Sequence, residues 1–246
     1  MRQLSIFLLL SLAASSAVAD NLRVAVAANF TEPMRKISAL FEQASGHKLE
    51  LIFGSTGKFY AQVSNGAPFD VLLAADEETP ARLAAEGNAV SESRFTYATG
   101  KLALWSPTAG YVDDQGHILK SGSFRHISLA NPDLAPYGAA AVSVLKNLGV
   151  YESLRPKIVL GENITQAHQF VATGAAELGF VALSQVMKEG KVEGSVWIVP
   201  SALHAPIRQD AIVLDKGRGK AAATELLAYL KSDAARRIIA SYGYSF

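Results

Sequence analysis

Four short segments hold the residues best suited to grip a small anion: Ala28-Asn29, Ser55-Thr56-Gly57, Pro136-Tyr137-Gly138 and Asn163-Ile164-Thr165. Each stands where an apolar run gives way to a helical pattern, so each reads as a helix start. Helix starts carry N–H groups without intrahelical acceptors and the positive end of the helix dipole. A doubly charged tetrahedral oxyanion offers four oxygens that each want donors, and it is not readily protonated at neutral pH. Backbone N–H groups and hydroxyls donate to it without competing for a proton. Each bond to an ionised acceptor contributes about 1.5–3 kcal/mol, so a handful offsets desolvation of the anion without a charged partner. Taken singly, each junction is an ordinary helix cap, and Gly54 and Gly57 are ordinary turn residues. The convergence of four junctions carries the reading.

Enzyme chemistries find less support. Gly54-Ser55-Thr56-Gly57-Lys58 lacks the G-x-x-x-x-G-K-[ST] spacing of a phosphate loop, and no G-x-S-x-G elbow surrounds Ser55. His47, His117, His126, His168 and His204 are scattered with no metal-ligand spacing. No nucleophile and base pair is apparent, so a binding role without catalytic residues, resident metal or cofactor is expected. Glu77-Glu78 and Asp113-Asp114 read as solvated helix starts or turns, and Lys58 as a solvent-facing residue of a first helical turn.

The elements that must position these junctions alternate along the chain. Apolar, β-rich runs at 22–26, 49–53, 71–75, 102–105, 127–130, 158–160, 178–182, 196–199 and 211–214 are separated by helical patterns. This predicts an α/β fold with parallel sheet covered on both faces. In such a sheet, ligands sit beyond the carboxyl ends of the strands. The first helix is marked by Met34, Ile37, Leu40, Phe41 and Ala44, with Thr31 or Glu32 as cap, Pro33 in the first turn and Gly46 at the end. Near 97–101 the chain passes from one group of strand-helix units to another, and near 205–210 it can return. This arrangement predicts two domains joined by two crossing strands, residues 20–99 with 208–246 and residues 100–207, and a helical tail over 220–241.

Residues 1–19 have a basic start at Arg2, an apolar run over 6–12 and a small-residue ending, Ala17-Val18-Ala19. They read as a signal peptide cleaved after Ala19, which predicts a periplasmic protein. With no cysteine, neither a lipid anchor nor a disulfide is available, so the core must supply the stability. The chain has 23 Lys and Arg against 22 Asp and Glu. Removing Arg2 with the leader balances them, which argues against nucleic acid or anionic membrane as a partner.

The ordered segments V24-A-V-A-A-N-F-T31, F53-G-S-T-G57, N65-G-A-P-F-D-V71 and A74-A-D76 resemble the periplasmic molybdate-binding protein family of ABC importers. Gly100-Lys101-Leu102, Asn131-Pro132 leading to Ala135-Pro136-Tyr137-Gly138, and Gly174 with 178–182 extend the resemblance over essentially the whole mature chain. It implies a type II periplasmic binding protein fold, two α/β domains with the ligand in the interdomain cleft. It also implies capture of molybdate or tungstate by a monomer and delivery to an inner-membrane ABC permease. Carried over by position, the donors are Ala28, Asn29, Ser55, Thr56, Tyr137 and Ile164, with Thr56 as the key contributor of its junction. Ala28 and Ile164 can serve only through backbone N–H, whereas Asn29, Thr56 and Tyr137 can add side-chain donors. Some members supply a tyrosine hydroxyl where this chain has Val181-Ala182-Leu183, and Tyr137 is expected to restore it from another side. Receptors for other oxyanions such as sulfate, phosphate or chromate, and an enzyme for a small anionic substrate, are the alternatives. Phosphate is disfavoured because its protonated form would welcome an acceptor carboxylate, and the nearest, Asp76, reads as structural.

Overall fold

The structure, a computed structural model, describes residues 20–188 and 190–246. The expected leader and its cleavage after Ala19 lie outside the described residues. Chain order runs β1 (Asn21–Ala27), α1 (Thr31–Ser45), β2 (Lys48–Gly54), α2 (Thr56–Ser64), β3 (Val71–Leu73), α3 (Glu78–Ala85) and β4 (Phe95–Gly100). Then follow β5 (Leu102–Ser106), α4 (Ile118–Ser121), β6 (Ile127–Ala130), α5 (Pro136–Asn147), α6 (Tyr151–Leu154), β7 (Ile158–Gly161), α7 (Ile164–Ala172), β8 (Leu178–Ala182) and α8 (Leu183–Val186). A short hairpin of β9 (Met187–Lys188) and β10 (Lys191–Val192) leads to β11 (Ser195–Ile198), β12 (Ile207–Val213), α9 (Ala221–Leu230) and α10 (Asp233–Ser241).

Apart from the β9-β10 hairpin, these strands form two five-stranded sheets, ordered β2-β1-β3-β12-β4 and β11-β5-β8-β6-β7, and the type II binding fold expected from the resemblance is the result. The expected parallel sheet is corrected to two mixed ones. β1 runs parallel to β2 and β3, whereas β12 is antiparallel to β3 and β4. In the second sheet β6 is parallel to β7 and β8, and β5 is antiparallel to β8 and β11. The antiparallel pairing of β4 and β12 follows from the topology, because one strand carries the chain out of the first lobe and the other brings it back. Ile207 lies opposite Gly100 in that pair.

Both faces of the first sheet are covered. Leu22, Val24 and Val26 of β1 pack with Phe30, Met34, Ile37 and Phe41 on one side, while Ala25 joins Phe59, Leu72 and Leu83 on the other. This is the period-two alternation of a strand buried on both faces. Helix α1 ends as expected at Gly46, whose φ of 78° suits glycine. Its start differs from expectation, because no side chain caps it and a 3-10 turn, Ala28–Phe30, leads directly into Thr31. The Thr31 hydroxyl instead donates to Ala28 O at 2.8 Å. The buried stripe is also narrower, since Leu40 and Ala44 are exposed. The tail is two helices and not one, because Ser232 caps α10 by accepting from the Ala235 N–H. Among the described residues no helix is long and apolar enough to cross a membrane.

Candidate functional site between the lobes

All four junctions converge on one small cavity, with about 10 Å³ open to a water-sized sphere. Its lining includes Ala28, Asn29, Ser55, Thr56, Tyr137 and Ile164, the six residues singled out from sequence, together with Ala27, Gly54, Ala75, Ala135, Pro136 and Asn163. No charged side chain of the described residues is among them. Two junctions come from each lobe, and the first turns of α2, α5 and α7 leave the N–H groups of Thr56, Tyr137 and Ile164 without intrahelical acceptors.

Local chemistry at each junction sets which donors face inward. Asn163 caps α7 with its Oδ1 accepting from the N–H groups of Thr165 and Gln166, at 2.9 and 3.0 Å. The Ile164 N–H, one position earlier, is left for another acceptor. Ser55 is buried, and its Oγ has no hydrogen-bond partner. Only one other buried side-chain polar atom of the described residues shares that condition, Ser128 Oγ within β6. Buried hydroxyls are rarely left unpaired because desolvation without a bond costs about 1–3 kcal/mol. An orphaned hydroxyl on the wall of a donor-lined cavity therefore fits an acceptor held there.

Three side chains sit otherwise than sequence reasoning anticipated. Thr56 Oγ1 accepts from the Ala75 N–H at 2.9 Å, so its hydroxyl has a structural duty and only its own proton remains to donate. The Asn29 amide is committed away from the cavity, donating to Gln209 Oε1 and to the Tyr244 hydroxyl, each at 2.9 Å. The Tyr137 hydroxyl accepts from Gln209 Nε2 at 3.1 Å and is buried. Burial pushes the Tyr97, Tyr137 and Tyr244 hydroxyls well up from the ordinary tyrosine range, so this cluster stays neutral. What Asn29 and Tyr137 have left for the cavity is backbone N–H.

The lobes touch across the cleft. The Gly57 N–H donates to Leu134 O at 2.9 Å, and a Cβ at Gly57 would stand 3.0 Å from that oxygen, so the glycine permits a close approach between lobes. Lys58 faces solvent in part, as expected, and also pairs with Glu162 of the opposite lobe, Nζ to Oε1 at 2.7 Å. The Ser184 hydroxyl donates to Asn29 O at 2.8 Å, and the Thr165 hydroxyl to Ala28 O at 3.3 Å. Asp76 lies outside the cavity lining and is structural, as expected. Burial raises its pKa, while its carboxylate holds the start of α3 through the N–H and hydroxyl of Thr79 at 2.9 and 3.2 Å.

Gln209, Tyr97, Tyr244 and Ser184 were missed from the sequence. The one available signal was the polar pair Gln209-Asp210 just ahead of an apolar strand core, inside the segment where the chain was expected to return.

Residues 22–245 match the family model described as bacterial extracellular solute-binding protein. The chain is 58% identical to the molybdate-binding protein of Azotobacter vinelandii over 234 residues, which cover 95% of this chain and 93% of that one. It is 51% identical to the molybdate-binding protein of Rhodobacter capsulatus over 228 residues, 93% of this chain and 89% of that one. Among solved structures, the periplasmic molybdate-binding protein of Azotobacter vinelandii superposes with a TM-score of 0.89 at 41% identity, covering 92% of this chain and 99% of that one.

Proposed function

This chain belongs to the bacterial extracellular solute-binding protein family, and from that premise we propose that it binds molybdate, and tungstate of nearly equal size, in the cavity between its lobes. The high identity to two relatives named as molybdate-binding proteins supports the choice of ligand. The observation that carries the choice of site is the unpartnered, buried Ser55 hydroxyl on a wall where helix starts from both lobes meet. In this reading the donors are the N–H groups of Ala28, Asn29, Thr56, Tyr137 and Ile164 and the hydroxyls of Ser55 and Thr56. The Tyr137 hydroxyl is assigned to the hinge and not to the ligand.

Binding involves no bond-breaking chemistry. In the open state one lobe offers half of the donors, and rotation about β4 and β12 brings up the other half, so the ligand stabilises the closed state through contacts available only there. We take residues 20–99 with 208–246 as one lobe and 100–207 as the other. Discrimination against sulfate follows from size, since a rigid ring of donors set for a larger oxyanion leaves a smaller one with long, weak bonds. Keeping Asp76 out of the lining removes the acceptor that a protonated anion would need. The closed protein, a monomer exported to the periplasm, then presents its ligand to an inner-membrane ABC permease. Calorimetric titration of the purified protein with molybdate, tungstate, sulfate and phosphate tests the reading. Tight binding of the first two is expected, and tight binding of sulfate without molybdate would overturn it.

A further inference from the structure

Gln209 is fully buried in β12, two residues after the strand begins, and its amide joins both lobes. Oε1 accepts from Asn29 Nδ2 at 2.9 Å and lies 3.0 Å from the Tyr97 hydroxyl, both in the first lobe. Nε2 donates to the Tyr137 hydroxyl at 3.1 Å, on α5 of the second lobe. The other crossing strand presses on the same point. A Cβ at Gly100 of β4 would stand 2.0 Å from the Tyr137 hydroxyl and 2.6 Å from Gln209 Nε2. Both hinge strands and the helix that brings Tyr137 to the cavity therefore meet where no added side chain fits.

We propose that Gln209 is a positioning residue for ligand binding, whose bond to Tyr137 holds the two lobes in the closed arrangement. Rotation of the second lobe would move Tyr137 relative to β12 and pull its hydroxyl away from the buried Gln209 amide. That step is unfavourable until water reaches both groups through the opened cleft. The bond thus biases the hinge toward closure and fixes the two residues, Asn29 and Tyr137, that line the cavity from opposite lobes. A second link supports the same joint, since Asn29 O accepts from Ser184 of the second lobe at 2.8 Å and lies 2.8 Å from the Tyr244 hydroxyl. The effect on affinity rests on the molybdate reading above, whereas the effect on lobe arrangement does not.

Tyr137→Phe removes the hydroxyl that Gln209 holds, and Gly100→Ala drives a methyl group between the same two side chains from a position that does not itself line the cavity. Each is measured by small-angle scattering with and without molybdate, by stopped-flow molybdate kinetics and by thermal unfolding. The ligand-free radius of gyration is expected to rise in both variants. Molybdate dissociation is expected to quicken about tenfold while association changes little. A wild-type radius of gyration with unchanged dissociation in Tyr137→Phe would overturn the proposal. So would a drop in melting temperature with no change in either, which marks a merely structural role. Should Gly100→Ala not fold, Tyr137→Phe, which only deletes an oxygen, decides alone. Should the wild type not bind molybdate, the ligand assignment fails while the ligand-free scattering still tests the hinge.

Discussion

Replacing Ser55 with alanine separates a ligand donor from a structural hydroxyl more cleanly than any other change at the cavity. Its Oγ is buried and unpartnered, so the substitution removes no bond from the ligand-free protein and relieves a desolvated hydroxyl. Ligand-free stability is therefore expected to hold or rise by about 1 kcal/mol. For a chain of this size that corresponds to about 2–4 °C in melting temperature. Affinity is expected to move the other way. A lost hydrogen bond to a dianion is worth about 1.5–3 kcal/mol, which raises the dissociation constant about 10- to 150-fold. Calorimetry gives the affinity, and thermal unfolding with and without molybdate gives the stability, whose ligand-induced increment should shrink in step with affinity. Unchanged molybdate affinity would exclude Ser55 as a ligand donor, as would a fall of more than about 1 kcal/mol in ligand-free stability, a loss expected only if Ser55 held a structural bond.

Thr56→Ala is expected to lower both quantities, because it also strips the Ala75 N–H of its acceptor at a cost of about 1–3 kcal/mol in ligand-free stability; Thr56→Ser should restore both, as read by the same two assays. Asn163→Asp retains an Oδ1 to cap α7, so the melting temperature should stay near that of the wild type, while a carboxylate on the cavity wall weakens molybdate binding roughly tenfold or more. Away from the site, burial raises the Glu177 pKa, but bonds from the His126 N–H and the Arg125 guanidinium outweigh it and hold the carboxyl down to about 2. Its folded value lies below the ordinary 4.5, so these bonds add stability above pH 4.5 that is lost as pH falls from there toward 2. Denaturant unfolding across pH should show Glu177→Gln less stable at pH 7, with the gap to wild type closing over that acid range.

What the sequence disclosed was governed by local rules. The strand cores and the four helix starts depend on neighbours within a turn or a pleat, and all six expected residues meet at one cavity. What stayed hidden depended on distant partners. Whether the Asn29 amide faces a ligand or the hinge is decided by Gln209 and Tyr244, which lie 180 and 215 residues away. The partner of Lys58 was hidden because Glu162 comes near only when the lobes meet. Gly57 looked like a turn residue because the backbone it accommodates, at Leu134, belongs to the other lobe. The parallel sheet was overestimated for a related reason, since apolar runs report burial but not strand direction, and the two crossing strands β4 and β12 pair antiparallel.

The insertion of β12 between β3 and β4 also dictates an order of assembly. A chain that emerges N-terminus first delivers β1, β2 and β3 early, yet the neighbour that β3 and β4 share is not made until residues 207–213 appear. The second sheet, by contrast, draws all its strands from the continuous stretch 102–198, so its pairings close over shorter loops and are kinetically favoured. The first lobe must therefore wait for β12, and the still later Tyr244 sets bonds to Asn29. A truncated or stalled chain holds a finished second lobe beside an unfinished first one, with an unpaired strand edge open to proteases or to a copy of itself.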